Sequence, residues 1–413
     1  MTTTFDRSLS KLCTTPCGLR WLALCRASLT ISVGLVGLLQ GFALARNLPE
    51  QDGVAAAPDR NLLIERGQPW WYRSQPSPSP TSLNAVPPGA EEQTLIDRAR
   101  RVFAAQPAKV MALIDGERVL HSEFKSPATP QSLVFGYSIG KTVTAMAVGK
   151  AICAGHLQFD TKAAAQIPEL SQTALGAATV RDLLRMASGT KGPNADSTIF
   201  TPDQYKLAAT GQLDLIAALS EDRVAGAARG VFSDYKPGEQ FSYKSTDPMV
   251  LGVMVAHALK MPFNQWVQEQ VLNPMGAAHP GVLMQDRQQY AASAGGVALR
   301  LEDWIRFALW VKRSSREAGC FGDFVRAAMR TQITNPGTPA SRKFGASFNG
   351  YGYFMWADNA TAPESVWALG YGGQRIGWSN ATNNNRMIVV FSNVESWMPD
   401  VYTLGRDWQR LSK

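Results

Sequence analysis

Ser138 and Lys141 stand three residues apart at the head of an apolar run, FGYSIGKTVTAMAVGKAICAG, Phe135 to Gly155. On a helix, residues three apart share a face, so a serine hydroxyl and a lysine amine would meet there. A buried lysine has a lowered pKa and can take the serine proton, which lets the serine attack a carbonyl carbon. The same pair also fits a plainer role, a serine capping a core helix and a lysine reaching out to water. Spacing alone does not choose. Ser8–Lys11, Ser122–Lys125 and Ser188–Lys191 repeat it, and about one or two such matches arise by chance in a chain of ordinary composition.

Ser138 differs from those copies in its surroundings. The copies fall in a basic leader, a strand and a polar loop, whereas IGKTVTAMAVGKAICAG predicts a helix apolar on nearly all sides, ended by Gly155 as its C′ residue. Such a helix is buried in the middle of its domain. Its first-turn amides lack helical partners and its dipole is positive at that end, which suits a developing oxyanion.

The elements that must hold this helix are legible on either side. EEQTLIDRARRVFAAQ has helical periodicity, and KVMALIDGERVLHSEF reads as two strands about an Asp115-Gly116 turn. Near the C-terminus, SVWALGYGGQRIGWSNATNNNRMIVVFSNV reads as strands with an Asn-rich turn, followed by a helix over about Pro399–Leu411. The middle, about 140–330, is mostly helical in pattern. The expected fold class is α+β: an antiparallel sheet flanked by terminal helices, plus a mostly α-helical inserted lobe, with a cleft between them.

Seven segments carry a resemblance. YSIGKTVTAMAVGKAICAGHLQFD, ATVRDLLRMASGT, FSYKSTDPMVLGVMVAHAL, VLNPMGAAHPG, SAGGVALRLEDWIRFA, NGYGYFMWAD and LGYGGQRIGWS follow one another in that order. Together they resemble the β-lactamase-related serine hydrolases: class C β-lactamases, DD-peptidases, family-VIII esterases and 6-aminohexanoate-dimer hydrolases. The resemblance spans about Glu91 to the C-terminus and implies a β-lactamase/transpeptidase-like fold. It implies Ser138 as nucleophile, Lys141 as general base and Tyr243 as proton-relay partner. The backbone N–H groups of Ser138 and Gln374 would form the oxyanion hole, and Ser245, Tyr371, Gly372 and Gly373 would contact substrate. Two departures stand out. Tyr371 occupies a place where β-lactam-handling members carry a cation for the substrate carboxylate, and Ser245 replaces the commoner Asn. Both lean toward the esterase and 6-aminohexanoate-dimer-hydrolase branch. A β-lactamase or DD-peptidase acting on β-lactams or peptidoglycan is the alternative. A non-catalytic, membrane-tethered binding module on the same fold is another.

The residues also support readings apart from the resemblance. Asp247-Pro248 predicts the start of another apolar helix, with Asp247 as N-cap and Pro248 at its first position. Tyr243 then sits in a loop at a helix start, where its phenol can face the cleft. Gly372 and Gly373 remove side chains from a strand end where a backbone or a substrate comes close. The four histidines (His121, His156, His257, His279) lack metal-ligand spacing, so a zinc site is not expected, and His257 reads as a satisfied core histidine; the acyl-enzyme chemistry that the resemblance implies needs neither a cofactor nor a metal.

Composition sets the remaining bounds. The 413 residues are 45% apolar and 18% charged, with net charge +8 and no dense basic stripe, which argues for a globular protein and against a nucleic-acid partner. Residues 1–26 carry Arg7, Lys11, Arg20 and Arg26 against Asp6, and the uncharged ASLTISVGLVGLLQGFALA at 27–45 ends in Ala43-Leu44-Ala45. This reads as a signal peptide or an N-terminal membrane anchor over 1–45, a buried core helix being the alternative. The rest would be exported, either periplasmic or anchored in the inner membrane facing the periplasm. Residues 46–90, with QPSPSPTSLNAVPPG, read as an extended, solvated linker, interrupted by Pro69–Tyr72, whose aromatics are expected to dock on the domain. The hydrolase domain is then 91–413, acting on a small-molecule or oligomeric amide or ester. Cys153 and Cys320 lie outside the leader and are expected to be free and buried, with a single disulfide as the alternative.

Overall fold

The structure, a computed structural model, describes residues 62–64, 68–190, 212, 214–220, 236–336 and 347–411. The leader, the 27–45 segment, residues 191–204 and residues 341–346 lie outside the described residues. Among the described residues no helix is long and apolar enough to cross a membrane.

Strands β1 (Leu63–Ile64), β2 (Tyr72–Arg73) and β3 (Asn84–Ala85) precede helix α1 (Ala90–Ala105). Then come β4 (Val110–Asp115), β5 (Arg118–Phe124) and β6 (Leu133–Phe135), the last leading into α2 (Ile139–Cys153). After short helical turns the chain forms α3 (Thr246–Leu259), β7 (Val282–Leu283), β8 (Val297–Leu299), α4 (Leu301–Ser314) and α5 (Cys320–Ala328). It ends with β9 (Ile333–Thr334), β10 (Phe348–Tyr351), β11 (Trp356–Asn359), β12 (Ser365–Gly370), β13 (Gln374–Ser379), β14 (Arg386–Phe391) and α6 (Met398–Arg410).

One sheet has nine strands in the order β3-β5-β4-β14-β13-β12-β11-β10-β9, antiparallel throughout except for the parallel β3–β5 pair. Every residue of β12, β13 and β14 is buried, which requires cover on both faces. Trp378 on β13 donates its indole N–H to Ala308 O of α4 at 2.9 Å. Its neighbour Gly377 faces the other way, against Trp367, whose ring packs on Gly405 of α6. The terminal strands thus come together at the centre, with β4 pairing β14 from Val110↔Phe391 to Asp115↔Arg386. Between β5 and β9 lies the helical lobe, so the α+β expectation and its inserted lobe hold. A second sheet, β1-β6-β8-β7-β2, was not foreseen. Its strands are only two or three residues long, too short to show an alternating pattern.

The described part of the expected linker is largely exposed, but its backbone is tied to the lobe. Ser74 and Ser77 are buried, Ser77 N–H donates to Ala277 O at 2.7 Å, and the Gln268 amide bonds both the N–H and the carbonyl of Gln75. Pro-rich backbone offers itself no partners, and here the lobe supplies them. Trp70 and Tyr72 do dock: the Arg287 guanidinium lies 4.5 Å from the Trp70 ring centroid, and Tyr72 pairs with Leu283.

Two further expectations change. Cys153 at the end of α2 and Cys320 at the start of α5 form a disulfide. Sequence offered no reason to pair residues so far apart; the packing of α5 on α2 does. Asp247 is not an N-cap. Ser245 holds that position of α3, and the Asp247 carboxylate turns instead to Ser188, accepting its hydroxyl at 2.6 Å and its N–H at 3.3 Å.

Candidate active site

Four backbone segments converge where β6 becomes α2. Gly136, just after β6, lies against the indole of Trp304, where an added Cβ would meet the ring at 2.6 Å. Tyr137 then adopts φ 46°, a left-handed conformation costly for a large side chain, and Ser138 follows at the N-cap position of α2. Gly295 packs on this turn from behind, so close to Gly140 that a Cβ there would lie 2.9 Å from the Gly295 Cα. The hydroxyls of the buried helix are satisfied locally, Thr142 donating to Phe354 O and Thr144 to Ser293 O. The polar residues of an otherwise apolar helix therefore hold down the segments that build the site.

Lys141 lies one turn into α2, 2% exposed. Its Nζ donates to Ser138 Oγ and to Ala294 O, both at 2.8 Å. Burial lowers its pKa from the ordinary 10.5 to about 7, with no acid compensating. The plainer role, a lysine reaching for water, does not occur.

Tyr243 is buried beside them, with Lys141 Nζ 5.1 Å from its ring centroid and its hydroxyl hydrogen-bonded to Ser138. The ring rests on the β10–β11 hairpin, 5.1 Å from the Trp356 ring. The preceding backbone is anchored by Ser242 N–H donating to Met186 O at 2.8 Å. Burial pushes the phenol pKa well up, Glu395 raises it further, and the Ser138 bond and Arg375 only partly oppose this. The phenol therefore stays protonated. Ser245, half-buried, caps α3 by position without a side-chain capping bond, which leaves its hydroxyl uncommitted to the helix.

The fourth segment is the tight turn Tyr371-Gly372-Gly373 between β12 and β13. Gly372 and Gly373 have φ of 75° and 97°, a region that favours glycine. Gly370, just before it, is pressed against Gly136 so closely that an added Cβ would lie 2.3 Å from the Gly136 carbonyl oxygen. That contact places the turn beside the start of α2, with the Tyr371 and Tyr137 rings 5.9 Å apart. The Gln374 side chain, fully buried, holds the turn: its amide donates to Tyr371 O and Ser392 O and accepts from Ser392 N–H. The structure thus brings Ser138, Lys141 and Tyr243 into contact and sets Tyr371, Gly372, Gly373 and Gln374 alongside.

Residues 96–410 match the family model described as Beta-lactamase. The chain belongs to the beta-lactamase family. Among curated proteins, a beta-lactamase of Providencia stuartii is 25% identical over 153 residues, a match covering 37% of this chain and 35% of that protein. The match thus spans about a third of that relative's length. Among solved structures, a Bacillus anthracis protein assigned as a 6-aminohexanoate-dimer hydrolase aligns over 83% of this chain and 89% of its own. Its TM-score is 0.60 at 12% identity. EstCE1, a hydrolase with promiscuous acyltransferase activity, aligns over 77% of this chain and 98% of its own, with TM-score 0.57 and 16% identity. At such identities the structural likenesses speak for the beta-lactamase-family fold.

Sequence reasoning missed several residues of this beta-lactamase-family site. The Ala294 carbonyl, which accepts from Lys141, sits in the SAGG segment, and a backbone acceptor leaves no mark of its own in sequence. Glu395 accepts the Gly372 N–H at 3.1 Å. Arg375, 2% exposed, donates to Tyr402 Oη at 3.0 Å and to Gly370 O and Gln374 O at 2.9 Å. Glu395 stands outside every quoted segment, and Arg375, although within LGYGGQRIGWS, carries no signal there that it would be buried behind the turn. His257 is satisfied as expected, its ring nitrogens 2.7 Å from Gln166 O and 2.9 Å from Tyr290 Oη.

Proposed function

We propose that this chain is a serine hydrolase that cleaves an amide or ester through an acyl-enzyme on Ser138. The observation that carries the reading is Lys141: a buried amine with only uncharged partners, 2.8 Å from Ser138 Oγ and with a pKa of about 7. Near neutral pH a large share of this amine is unprotonated and able to act as a base.

The steps follow from that arrangement. Lys141 Nζ takes the Ser138 proton as Oγ bonds to the substrate carbonyl carbon. The resulting oxyanion is held by the N–H groups of Ser138 and Gln374. The Tyr243 phenol donates its proton to the departing amine or alcohol as that bond breaks, and the Lys141 ammonium restores the phenol proton by way of the hydrogen-bonded cluster. Water then attacks the acyl-enzyme and gives up a proton to the neutral amine. The acid leaves and the Ser138 hydroxyl re-forms. The chemistry is complete without a cofactor.

The amidase/esterase branch, most like the 6-aminohexanoate-dimer hydrolases, is supported by Tyr371 in place of a cation and by the short Ser245. A β-lactamase or DD-peptidase is the second reading, supported by the family match. The protein would be exported, periplasmic or anchored facing the periplasm. The uncharged 27–45 segment with its basic flank supports this, as does the Cys153–Cys320 disulfide, a bond that persists in oxidising compartments.

The test is turnover of ester, amide-oligomer and chromogenic cephalosporin panels, together with fluorophosphonate labelling. Ser138→Ala is expected to abolish labelling and ester hydrolysis. Undiminished hydrolysis and labelling in Ser138→Ala would sink the proposal, and rapid Ser138-dependent cephalosporin turnover would favour the second reading. A wild-type chain that neither labels nor turns over any panel would point to a non-catalytic binding module.

A further inference from the structure

We propose that Glu395 biases this cleft against carboxylate-bearing substrates, so that the preferred ester or amide is neutral or cationic around its scissile bond. The proposal deepens the reading of Ser138 as nucleophile and rests on it.

Glu395 lies just beyond β14, on the segment packed behind the 371–373 turn. A Cβ on Gly373 would meet Val394 O at 2.5 Å, so the two segments touch through their backbones and Glu395 is carried to the turn. Its Oε1 accepts the Gly372 N–H at 3.1 Å, and its Oε2 stands 3.7 Å from Arg375 Nη2. The carboxylate is 33% exposed while Arg375 is 2% exposed. The turn amide that could have received an anionic group of a ligand therefore already holds the protein's own carboxylate, and that carboxylate remains open to the solvent side.

Of the nearby cations, Arg375 offsets this charge only in part: its Nη2 stands 3.7 Å from Glu395 Oε2, and it opposes the effect of Glu395 on the Tyr243 hydroxyl. Arg375 is buried, with Nε on Tyr402 Oη and Nη1 on the carbonyls of Gly370 and Gln374. Lys141 directs its Nζ to Ser138 Oγ and Ala294 O. At the turn itself stands Tyr371, neutral and half-buried. The Glu395 charge is felt within the site, since it raises the hydroxyl pKa of both Tyr243 and Tyr371. An arriving carboxylate would meet a fixed carboxylate and an occupied donor. An arriving ammonium would meet an exposed acceptor. Unit charges several ångströms apart near a protein surface would discriminate by roughly a hundredfold, and with Arg375 offsetting part of the Glu395 charge the expected discrimination is on the order of tenfold, weakened by salt.

The experiment uses the purified full-length chain at pH 8 and low ionic strength, with three matched esters: phenyl acetate, 3-acetoxybenzoate (anionic) and 3-(trimethylammonio)phenyl acetate (cationic). The kcat/KM values are compared between wild type and Glu395→Gln, a substitution that keeps an oxygen acceptor for the Gly372 N–H and removes the charge. Taking the ratio of substrates within each protein cancels misfolded fraction, and comparing that ratio between proteins cancels intrinsic ester reactivity. The expected result is a neutral-to-anionic ratio about tenfold lower in Glu395→Gln than in wild type, a cationic-to-neutral ratio that also falls, and a wild-type ratio that shrinks when salt is added. Ratios unmoved by the substitution, with phenyl acetate turnover still dependent on Ser138, would overturn the charge proposal and leave the nucleophile intact. Loss of Ser138 dependence would instead strike the proposed function.

Discussion

Lys141 and Lys244 are both sealed from water beside the start of an apolar helix, at 2% and 0% exposure, yet their surroundings differ in kind. Lys141 meets a hydroxyl, a carbonyl and the face of a phenol ring. Lys244 meets the Ser242 carbonyl at 2.8 Å and the Asp247 carboxylate at 3.5 Å. Burial lowers the Lys244 pKa and raises that of Asp247, and each charge opposes the other's shift. Asp247 is tied on to Ser188, so the pair clamps the 186–190 segment to the start of α3 and fixes the backbone next to Tyr243. A buried amine among neutral acceptors becomes a base poised near neutral pH. A buried amine against a carboxylate becomes a structural tie.

Substitution of each lysine can break or sharpen this contrast. The largest effect is expected for Lys141→Met, which keeps the bulk and removes the amine. Its kcat/KM on an ester should fall about ten-thousand-fold, with the urea midpoint unchanged or slightly raised. A matching loss of stability would erase the contrast. Lys244→Met should do the opposite, stranding Asp247 and lowering unfolding free energy by about 3–5 kcal/mol while the folded enzyme keeps its activity within about tenfold. Adding Asp247→Leu should recover much of that stability, and no recovery would mean the pair is not a clamp. Tyr243→Phe removes the leaving-group proton donor and should lower kcat by about a hundredfold, measured at a pH where the wild type is fully active.

Acidity provides the finest distinction. A base must be unprotonated, so wild-type kcat/KM should rise with pH through about 7, the pKa of Lys141, and Tyr243→Phe should keep that limb at a lower plateau. The folded amine titrates near 7 against an ordinary 10.5. Between those values the unfolded chain holds the extra proton, so this residue makes stability rise with pH across that window and adds no slope below 7. Lys141→Met should lose that component, as pH-dependent urea melts would show.

Much of the architecture was legible because it rests on local patterns. The β4–β5 hairpin follows from Asp115-Gly116, with Gly116 at φ 62°, and the end of α2 follows from Gly155 at φ 80°. The terminal strands and α6 declared themselves by their apolar runs. The second sheet did not, because two- and three-residue strands carry no period. The Pro-rich stretch is largely exposed, as its composition implies, yet composition is silent on whether a neighbouring lobe will bond its backbone. Asp247 was misplaced because a carboxylate near a helix start can serve its own helix or a distant amide, and only the fold brings Ser188 within reach.

The sequence by itself determined that Ser138 begins a buried helix with Lys141 on the same face, since side-chain pattern and the 3.6-residue turn require it. It also marked Gly372 and Gly373 as a place of close approach, while the structure alone showed that they form a turn between two strands. Only the tertiary structure decided that Tyr243, over a hundred residues away, meets that serine, and that no carboxylate accompanies Lys141 into the interior. It alone decided that Glu395 fills the turn amide. The reason is physical: a pKa is set by what surrounds a group in space, and in this chain those surroundings come from β6, α3, the 293–296 segment and the end of β14, which are distant in sequence and adjacent only once the sheet has closed on its inserted lobe.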